Sequence, residues 1–320
     1  MPATNGVIPA GAVTLARSDK FIPEHWSDEI IVSYKKKLVM ANLVRKMSFV
    51  GKKGDTLHIP APLRGSANLK AAASAVQIQF GQELEVVVNI NRHFEHSRLI
   101  EDIVKVQAQS SQRRFYTEDA GYALARQVDT DLFLLGRQSN NGNGANAAYA
   151  TGFSGADGTT AYVAGSNTGL GAITDAAIRR TIQRLDDNDI PMEDRVLVVP
   201  PSSRNTLMGI ARFTEQGFVG ENGSANTIRN GRIGDLYGVT VYVSPNTEST
   251  TGSTPAKAAL MFHKDAFVLV EQMAVRTQTQ YKQEYLADLF TADTLYGTQI
   301  LRKGDLADVP AASFALIVPA

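Results

Sequence analysis

One apolar stripe constrains this chain more than any other feature. It lies within residues 101–137, and its members, spaced four apart with a final step of three, are Tyr116, Ala120, Leu124, Val128, Leu132 and Leu135. Residues at that spacing share one face of an α-helix, so the stripe predicts a helix over residues 112–135. At 1.5 Å per residue, this helix would be a rod of roughly 35–40 Å. Gly121 weakens it without ending it.

The opposite face of this predicted helix carries charged residues. They are Arg113, Arg114, Glu118, Arg126 and Asp129. Charged side chains on the face away from an apolar stripe are typical of a solvated surface. We therefore expect one buried face and one exposed face.

Composition narrows the class of protein. With 320 residues and 43% hydrophobic content, the chain can bury a substantial core, and two subdomains are more common at this size than one. Lys+Arg and Asp+Glu are both 32, and a zero net charge argues against a dedicated nucleic-acid binder, although it does not exclude a local basic face. Cysteine is absent, which excludes disulfides, thiolate zinc sites and cysteine nucleophiles.

The N-terminal residues divide into an arm and a predicted helix. Residues 1–20 are small and polar, and no window of the chain reaches 18 continuous apolar residues, so we expect no signal peptide and no membrane span. Pro23 is placed to open a helix whose stripe comprises Trp26, Ile30, Tyr34 and Leu38. The lysines at 35–37 are either a solvated helix end or a contact for an anionic partner.

An unusually long hairpin connection follows. Residues 55–60 alternate polar and apolar, and residues 84–90 are rich in β-branched side chains, so both predict strands. About twenty residues separate them, whereas hairpin loops usually have two to five. Such a loop buries little of its own surface and is therefore either mobile or held by another subunit.

The second half of the chain predicts a mixed domain around a sheet. Residues 139–171 are rich in Gly, Asn, Ala and Thr and predict a surface insertion. Thr174 is a candidate cap for the next helix, and Ser202 or Ser203 for a short helix after a buried strand at 195–199. Further strands are predicted at 239–243, 259–262, 266–270 and 314–318, with an extended run at 273–281 and a loop at 249–256. The fold class is therefore α+β.

The search for chemistry yields no catalytic, cofactor-binding or metal-ligating residue. Gly142-x-Gly144-x-x-Ala147 matches a dinucleotide fingerprint only formally, because it follows a helix instead of a strand and opens no helix. His93 and His96 could share a metal only on a helix, and they lie at a predicted strand-to-helix junction, so polar surface is the better interpretation. We expect no enzyme activity.

The order of these parts resembles the major capsid proteins of tailed double-stranded-DNA bacteriophages, whose fold is called HK97-like. The residues that carry the resemblance lie in six segments: 54–60, 101–107, 123–136, 195–201, 231–239 and 296–302. The likeness is greatest to short-tailed, T7-like phages. It spans about residues 21–318.

The resemblance implies a domain organisation for the chain. It comprises an N-terminal arm (1–22), a helical region (23–47), an extended loop (48–93), a peripheral domain (94–138 with 272–320) built on a spine helix, an insertion (139–171) and an axial domain (172–271).

The resemblance also implies a function and partners. Copies would assemble into the hexamers and pentamers of an icosahedral virion shell. The shell would enclose double-stranded DNA, contact it non-specifically and involve no membrane. Scaffolding and portal proteins would be partners, a decoration protein would be a further candidate partner, and assembly would take place in the bacterial host cytoplasm. We expect intersubunit contacts at Arg64, Lys70, Arg113 and Arg114. Two alternatives stay open, an encapsulin-like cargo compartment and an unrecognised soluble enzyme.

Overall fold

The computed structural model describes most of the chain after its first 37 residues. The described ranges are 38–62, 67–76, 78, 83–103, 112–136, 153–154, 157–162, 170–210, 234–250, 255–303 and 310–320. The predicted helix at 23–38 and its lysines fall almost wholly outside them.

The described residues form four helices and thirteen strands. The helices are α1 (Met40–Leu43), α2 (Gln112–Leu135), α3 (Asp175–Asp187) and α4 (Pro201–Met208). The strands are β1 (Arg45–Ser48), β2 (Thr56–Pro62), β3 (Glu83–Asn89), β4 (Arg92–Glu101), β5 (Phe153–Ser154), β6 (Arg195–Val199), β7 (Asp235–Leu236), β8 (Val239–Val243), β9 (Ser249–Thr250), β10 (Ala256–His263), β11 (Phe267–Lys282), β12 (Ala287–Ile300) and β13 (Ser313–Pro319).

A four-stranded sheet in the order β1-β11-β12-β4 carries the long helix α2. Strand β1 runs parallel to β11, and the other pairs are antiparallel. Ala120 and Leu124 of α2 pack on Phe290 and Ala292 of β12 because the apolar stripe faces the sheet. The outer half of β11 is exposed, so this sheet projects beyond its core.

A seven-stranded sheet holds the largest hydrophobic core. Its order is β5-β13-β10-β6-β8-β7, and β9 pairs with β10. All five residues of β6 are buried, as are the first six residues of β13, which explains the continuous apolar runs at 196–199 and 314–318. The short 3₁₀ turn Lys264–Ala266 joins β10 to β11 and so connects the two sheets.

Strands β2 and β3 pair as a separate two-stranded ribbon, from Thr56 opposite Asn89 to Pro62 opposite Glu83. The predicted hairpin with a connection of about twenty residues is therefore confirmed. Two-stranded ribbons are marginally stable alone, so this one depends on what its ends contact.

Several elements match the sequence predictions. Helix α2 has the predicted bounds, and Thr174 caps α3 by accepting a hydrogen bond from the amide of Ala177 at 3.2 Å. The strands predicted at 195–199 and 239–243 have those same bounds. Among the described residues, no helix combines the length and apolarity needed to cross a membrane.

Other predictions about the elements were wrong. Residues 92–101 form a ten-residue strand instead of a junction, because they pair along their whole length with β12. Helix α4 begins at Pro201 after Pro200, without a serine cap, because proline at the first position already fixes a helical φ. Residues 45–48 are a strand, and 249–250 pair with β10 instead of continuing a loop.

Candidate assembly surfaces

The base of the β2–β3 ribbon is fastened to the four-stranded sheet by a small apolar cluster. Val88 and Ile90 of the ribbon side pack against Phe49, Val268 and Val270, and all five side chains are buried. The ribbon therefore leaves the sheet from a fixed base.

A close backbone approach completes this base. A Cβ atom built on Gly297 of β12 would lie 2.5 Å from the carbonyl oxygen of Asn89, so only glycine permits the contact. Two residues on, the Gln299 side-chain amide donates a hydrogen bond to the carbonyl of Val87 at 3.2 Å.

The far end of the ribbon is the hairpin tip, defined as residues 63–82, of which 67–76 and 78 are described. Leu69 has a relative exposure of 101%, and Val76 and Ile78 are 71% and 76% exposed. Lys70 is exposed beside Leu69. The large apolar side chains that the structure describes in this segment are therefore exposed, and exposed apolar groups of this kind mark a site of interaction.

A second exposed apolar surface lies at the end of the four-stranded sheet. This sheet-end patch comprises Ile103, Tyr281, Tyr285 and Leu286, each at least 46% exposed. The backbone brings them together, because the amide of Asp102 donates to the carbonyl of Leu286 at 3.0 Å and Tyr281 pairs with Asp288.

Carboxylates surround the sheet-end patch. Glu101 and Glu284 are exposed, and Asp102 accepts a hydrogen bond from the hydroxyl of Tyr281 at 2.8 Å. The hairpin tip is thus apolar and cationic, whereas the sheet-end patch is apolar and anionic.

Two buried carboxylates on α2 fix the positions of the parts that carry these surfaces. Asp129 is fully buried, and one of its oxygens accepts hydrogen bonds from the amides of Val39 and Met40 at 3.2 and 2.8 Å. The other accepts from the side-chain amide of Asn246 at 2.9 Å. Burial raises the pKa of Asp129, and these hydrogen bonds oppose the rise.

The second carboxylate, Asp131, joins the helix to the four-stranded sheet. It lies 2.7 Å from a guanidinium nitrogen of Arg92 and accepts a hydrogen bond from the hydroxyl of Tyr296 at 2.6 Å. Burial, and then the bond to Asp131, raises the pKa of Tyr296, so this tyrosine stays a neutral donor.

A polar network lies on β11, β12 and β4. The Arg276 guanidinium donates to both oxygens of Asp293 at 2.8–3.1 Å, and His93 Nε2 lies 3.2 Å from the same carboxylate. The bond from Arg276 lowers the pKa of Asp293 from 3.8 to about 2.

Of the four predicted contact residues, only Lys70 has a side chain that the structure describes. Lys70 lies on the described part of the hairpin tip, and Arg64 falls outside the described residues. Arg113 and Arg114 are in the first turn of α2, but their side chains are not among those described. The prediction that all four contact another subunit therefore stays a prediction.

Sequence reasoning missed the buried polar residues. Asp129 was expected on the solvated face of α2, which is wrong because the end of α2 is buried on several sides. The sequence did carry a sign of this burial, because Asp129 and Asp131 interrupt the most apolar part of the helix. His93 and His96, three apart on a strand, point to opposite faces, and no group of metal-binding side chains occurs among the described residues.

The chain matches a known protein family and a set of solved structures. The family model for phage capsid protein matches residues 114–300, which is more than half of the chain. No curated protein matches the chain.

Solved structures match over nearly the full length. The Mycobacterium phage Che8 structure has a TM-score of 0.71 at 24% identity and covers 92% of this chain and 97% of its own. The capsid of Cyanophage P-SCSP1u has a TM-score of 0.71 at 16% identity, with 99% and 98% covered. The Cyanophage Pam1 capsid has 0.68 at 16% identity, with 98% and 99% covered. These likenesses confirm the α+β, HK97-like fold, while a special closeness to T7-like phages stays a prediction.

Proposed function

The chain belongs to the phage capsid protein family, and on that premise we propose that its copies form the hexamers and pentamers of an icosahedral head enclosing double-stranded DNA. Its role is structural rather than enzymatic, as wall material of a virion shell. Neither an encapsulin-like compartment nor a soluble enzyme is favoured.

The observation that carries the proposal is the exposure of the apolar side chains described in the hairpin tip. Leu69, Val76 and Ile78 are more exposed than side chains of their size normally are in an isolated folded protein. Burying one such side chain gains about 1.5–3 kcal/mol, so contact with a second copy would offset the cost of ordering the tip. Many modest interfaces of this kind, repeated by symmetry, stabilise a closed shell.

We assign the sheet-end patch of a neighbouring copy as the surface that receives the tip. Both surfaces are apolar, and their charges are opposite, with Lys70 and Arg64 on one and Glu101 and Glu284 on the other. Opposite charges at an interface fix its orientation more than they add to its affinity. The apolar side chains would supply most of the affinity.

The domain organisation is part of this proposal. Helix α2 and the four-stranded sheet would be the peripheral domain, and the seven-stranded sheet the axial domain. Strand β13 pairs with β10, so we assign residues 313–319 to the axial sheet instead of the peripheral domain. Scaffolding, portal and decoration proteins, and assembly in the host cytoplasm, belong to the same proposal.

The test is a triple substitution of Leu69, Val76 and Ile78 by serine. We expect the chain, expressed with its scaffolding protein, to give few or no closed particles in electron micrographs, because the apolar contact with the next copy is lost. The thermal unfolding of the unassembled chain should not change, since these side chains pack against nothing described in their own copy.

Met192→Ser is the matched control, because Met192 is also 72% exposed but lies outside both surfaces. It should assemble normally. Charge reversal of Arg64 and Lys70 to glutamate should weaken assembly in the same direction. Normal shell yield from both the serine and the glutamate variants would contradict the proposal.

A further inference from the structure

One segment of this chain has a large excess of basic over acidic residues. Although the whole chain is neutral, residues 30–82 contain a single acidic residue, Asp55, and nine basic ones. The basic residues are Lys35, Lys36, Lys37, Arg45, Lys46, Lys52, Lys53, Arg64 and Lys70. Because charges more than about 10 Å apart are screened at physiological salt, this local excess acts independently of the neutral total.

The structure presents two of these lysines on a fixed turn, the lysine turn, defined as residues 50–54. Gly51 and Gly54 have φ values of +79° and +132°, which glycine adopts readily. Lys52 and Lys53, between them, are exposed. The turn therefore exposes two adjacent lysines, of which Lys52 places its ammonium group 5.7 Å from the centroid of the Phe49 ring.

Side-chain and core contacts hold the lysine turn in place. The Gln272 side-chain amide donates to the carbonyls of Lys52 and Gly54 at 3.1 and 3.0 Å. Phe49, immediately before the turn, is buried in the cluster at the ribbon base. The lysines are thus positioned before any partner binds.

The two lysines are not neutralised within their own copy. Among the described residues, neither Lys52 nor Lys53 forms an ion pair, whereas Arg45 on the preceding strand lies 3.6 Å from Asp265. The neighbouring acids, Asp55 in sequence and Glu271 on the adjoining strand, do not pair with either lysine. The ammonium groups are therefore available to an external anion.

We propose that the lysine turn contacts the phosphate backbone of the enclosed double-stranded DNA. This inference rests on the proposed function, because it requires a shell that holds DNA. Lysine is depleted from protein–protein interfaces, and among the described residues the lysine turn exposes one large apolar side chain, Val50, whereas the hairpin tip exposes three. Lysine ammonium groups on an exposed turn bind phosphates without regard to base sequence.

The first experiment measures DNA binding by the purified full-length chain. A labelled random-sequence duplex is titrated at several salt concentrations, with Lys52→Gln/Lys53→Gln as the test variant. Two lost phosphate contacts should reduce the slope of log affinity against log salt by about 2. Lys52→Arg/Lys53→Arg should keep the wild-type slope, and so should Lys257→Gln, which removes one charge from the seven-stranded sheet.

The second experiment measures the acetylation of individual lysines in DNA-filled and emptied shells by mass spectrometry. We expect Lys52 and Lys53 to react several-fold faster after the DNA has been released, with Lys70 unchanged. An unchanged salt slope, or equal protection in filled and empty shells, would overturn the inference, and equal protection would indicate a contact between copies. The absence of any shell from the wild-type chain would instead refute the proposed function.

Discussion

Asp129 holds three segments together through one carboxylate. Its oxygens accept hydrogen bonds from the start of α1 and from Asn246, which follows β8, while its backbone belongs to α2. A buried carboxylate is tolerated only where hydrogen bonds replace water, as they do here. The residue therefore positions the helix that supports the four-stranded sheet relative to the seven-stranded sheet.

Replacement of Asp129 tests this role. Asp129→Ala leaves two amides and the Asn246 side chain without their acceptor, so we expect a loss of about 3 kcal/mol in the free energy of unfolding. Asp129→Asn retains one acceptor oxygen and should lose about 1 kcal/mol. Urea unfolding of the unassembled chain measures both. Asp187→Ala, at an exposed helix end, is the control and should change stability by less than about 0.5 kcal/mol.

Arg276 and Asp293 give a prediction about pH. Because Arg276 lowers the pKa of Asp293 from 3.8 to about 2, their interaction stabilises the fold above about pH 3.8 and is lost as the pH falls from 3.8 to about 2. In Arg276→Gln, the pKa of Asp293 should rise toward 3.8. The stability difference between wild type and variant should therefore shrink across this window, and a difference that stays constant with pH would contradict the assignment.

At the scale of elements, the ribbon depends on its base. Gly297→Ala would place a methyl group 2.5 Å from the carbonyl oxygen of Asn89, a backbone atom that cannot move aside without displacing β3. We expect the variant to lose about 1–3 kcal/mol and to increase amide hydrogen exchange in β2 and β3 more than in α2.

Gly121→Ala is the matched control for this substitution. Nothing lies within 4 Å of a Cβ built there, and Gly121 is inside α2, so alanine should stabilise the chain by about 0.5–1 kcal/mol. Equal effects of the two substitutions would mean that the contact between Gly297 and Asn89 does not fasten the ribbon.

Elements with strong local periodicity could be predicted from the sequence. The bounds of α2 could be read from its apolar stripe, because a stripe arises from burial on one face. The bounds of β6 could be read from its apolar run, because a run arises from burial on both faces. Strands β4 and β12 could not be predicted in this way. Their register depends on pairing between residues about 190 apart, such as Leu99 with Leu289, and their mixed polar sequence reflects a sheet that is only partly covered.

At the scale of the whole molecule, exposed apolar and charged groups are distributed over distinct surfaces. The hairpin tip and the sheet-end patch carry apolar side chains with opposite charges, and the lysine turn carries charge without an apolar cluster. This distribution suits a subunit that contacts its copies through some surfaces and an enclosed polyanion through another. The sequence predicted the long tip, whereas the sheet-end patch emerges only when β4 and β12 pair.

The most direct test is a cryo-electron microscopy structure of the assembled particle, in which the exposure of Leu69, Val76 and Ile78 is measured. We predict a closed shell in which all three are buried against a neighbouring copy, beside its sheet-end patch. A closed shell in which residues 63–82 pack only on their own copy, or leave these three side chains in solvent, would contradict the account.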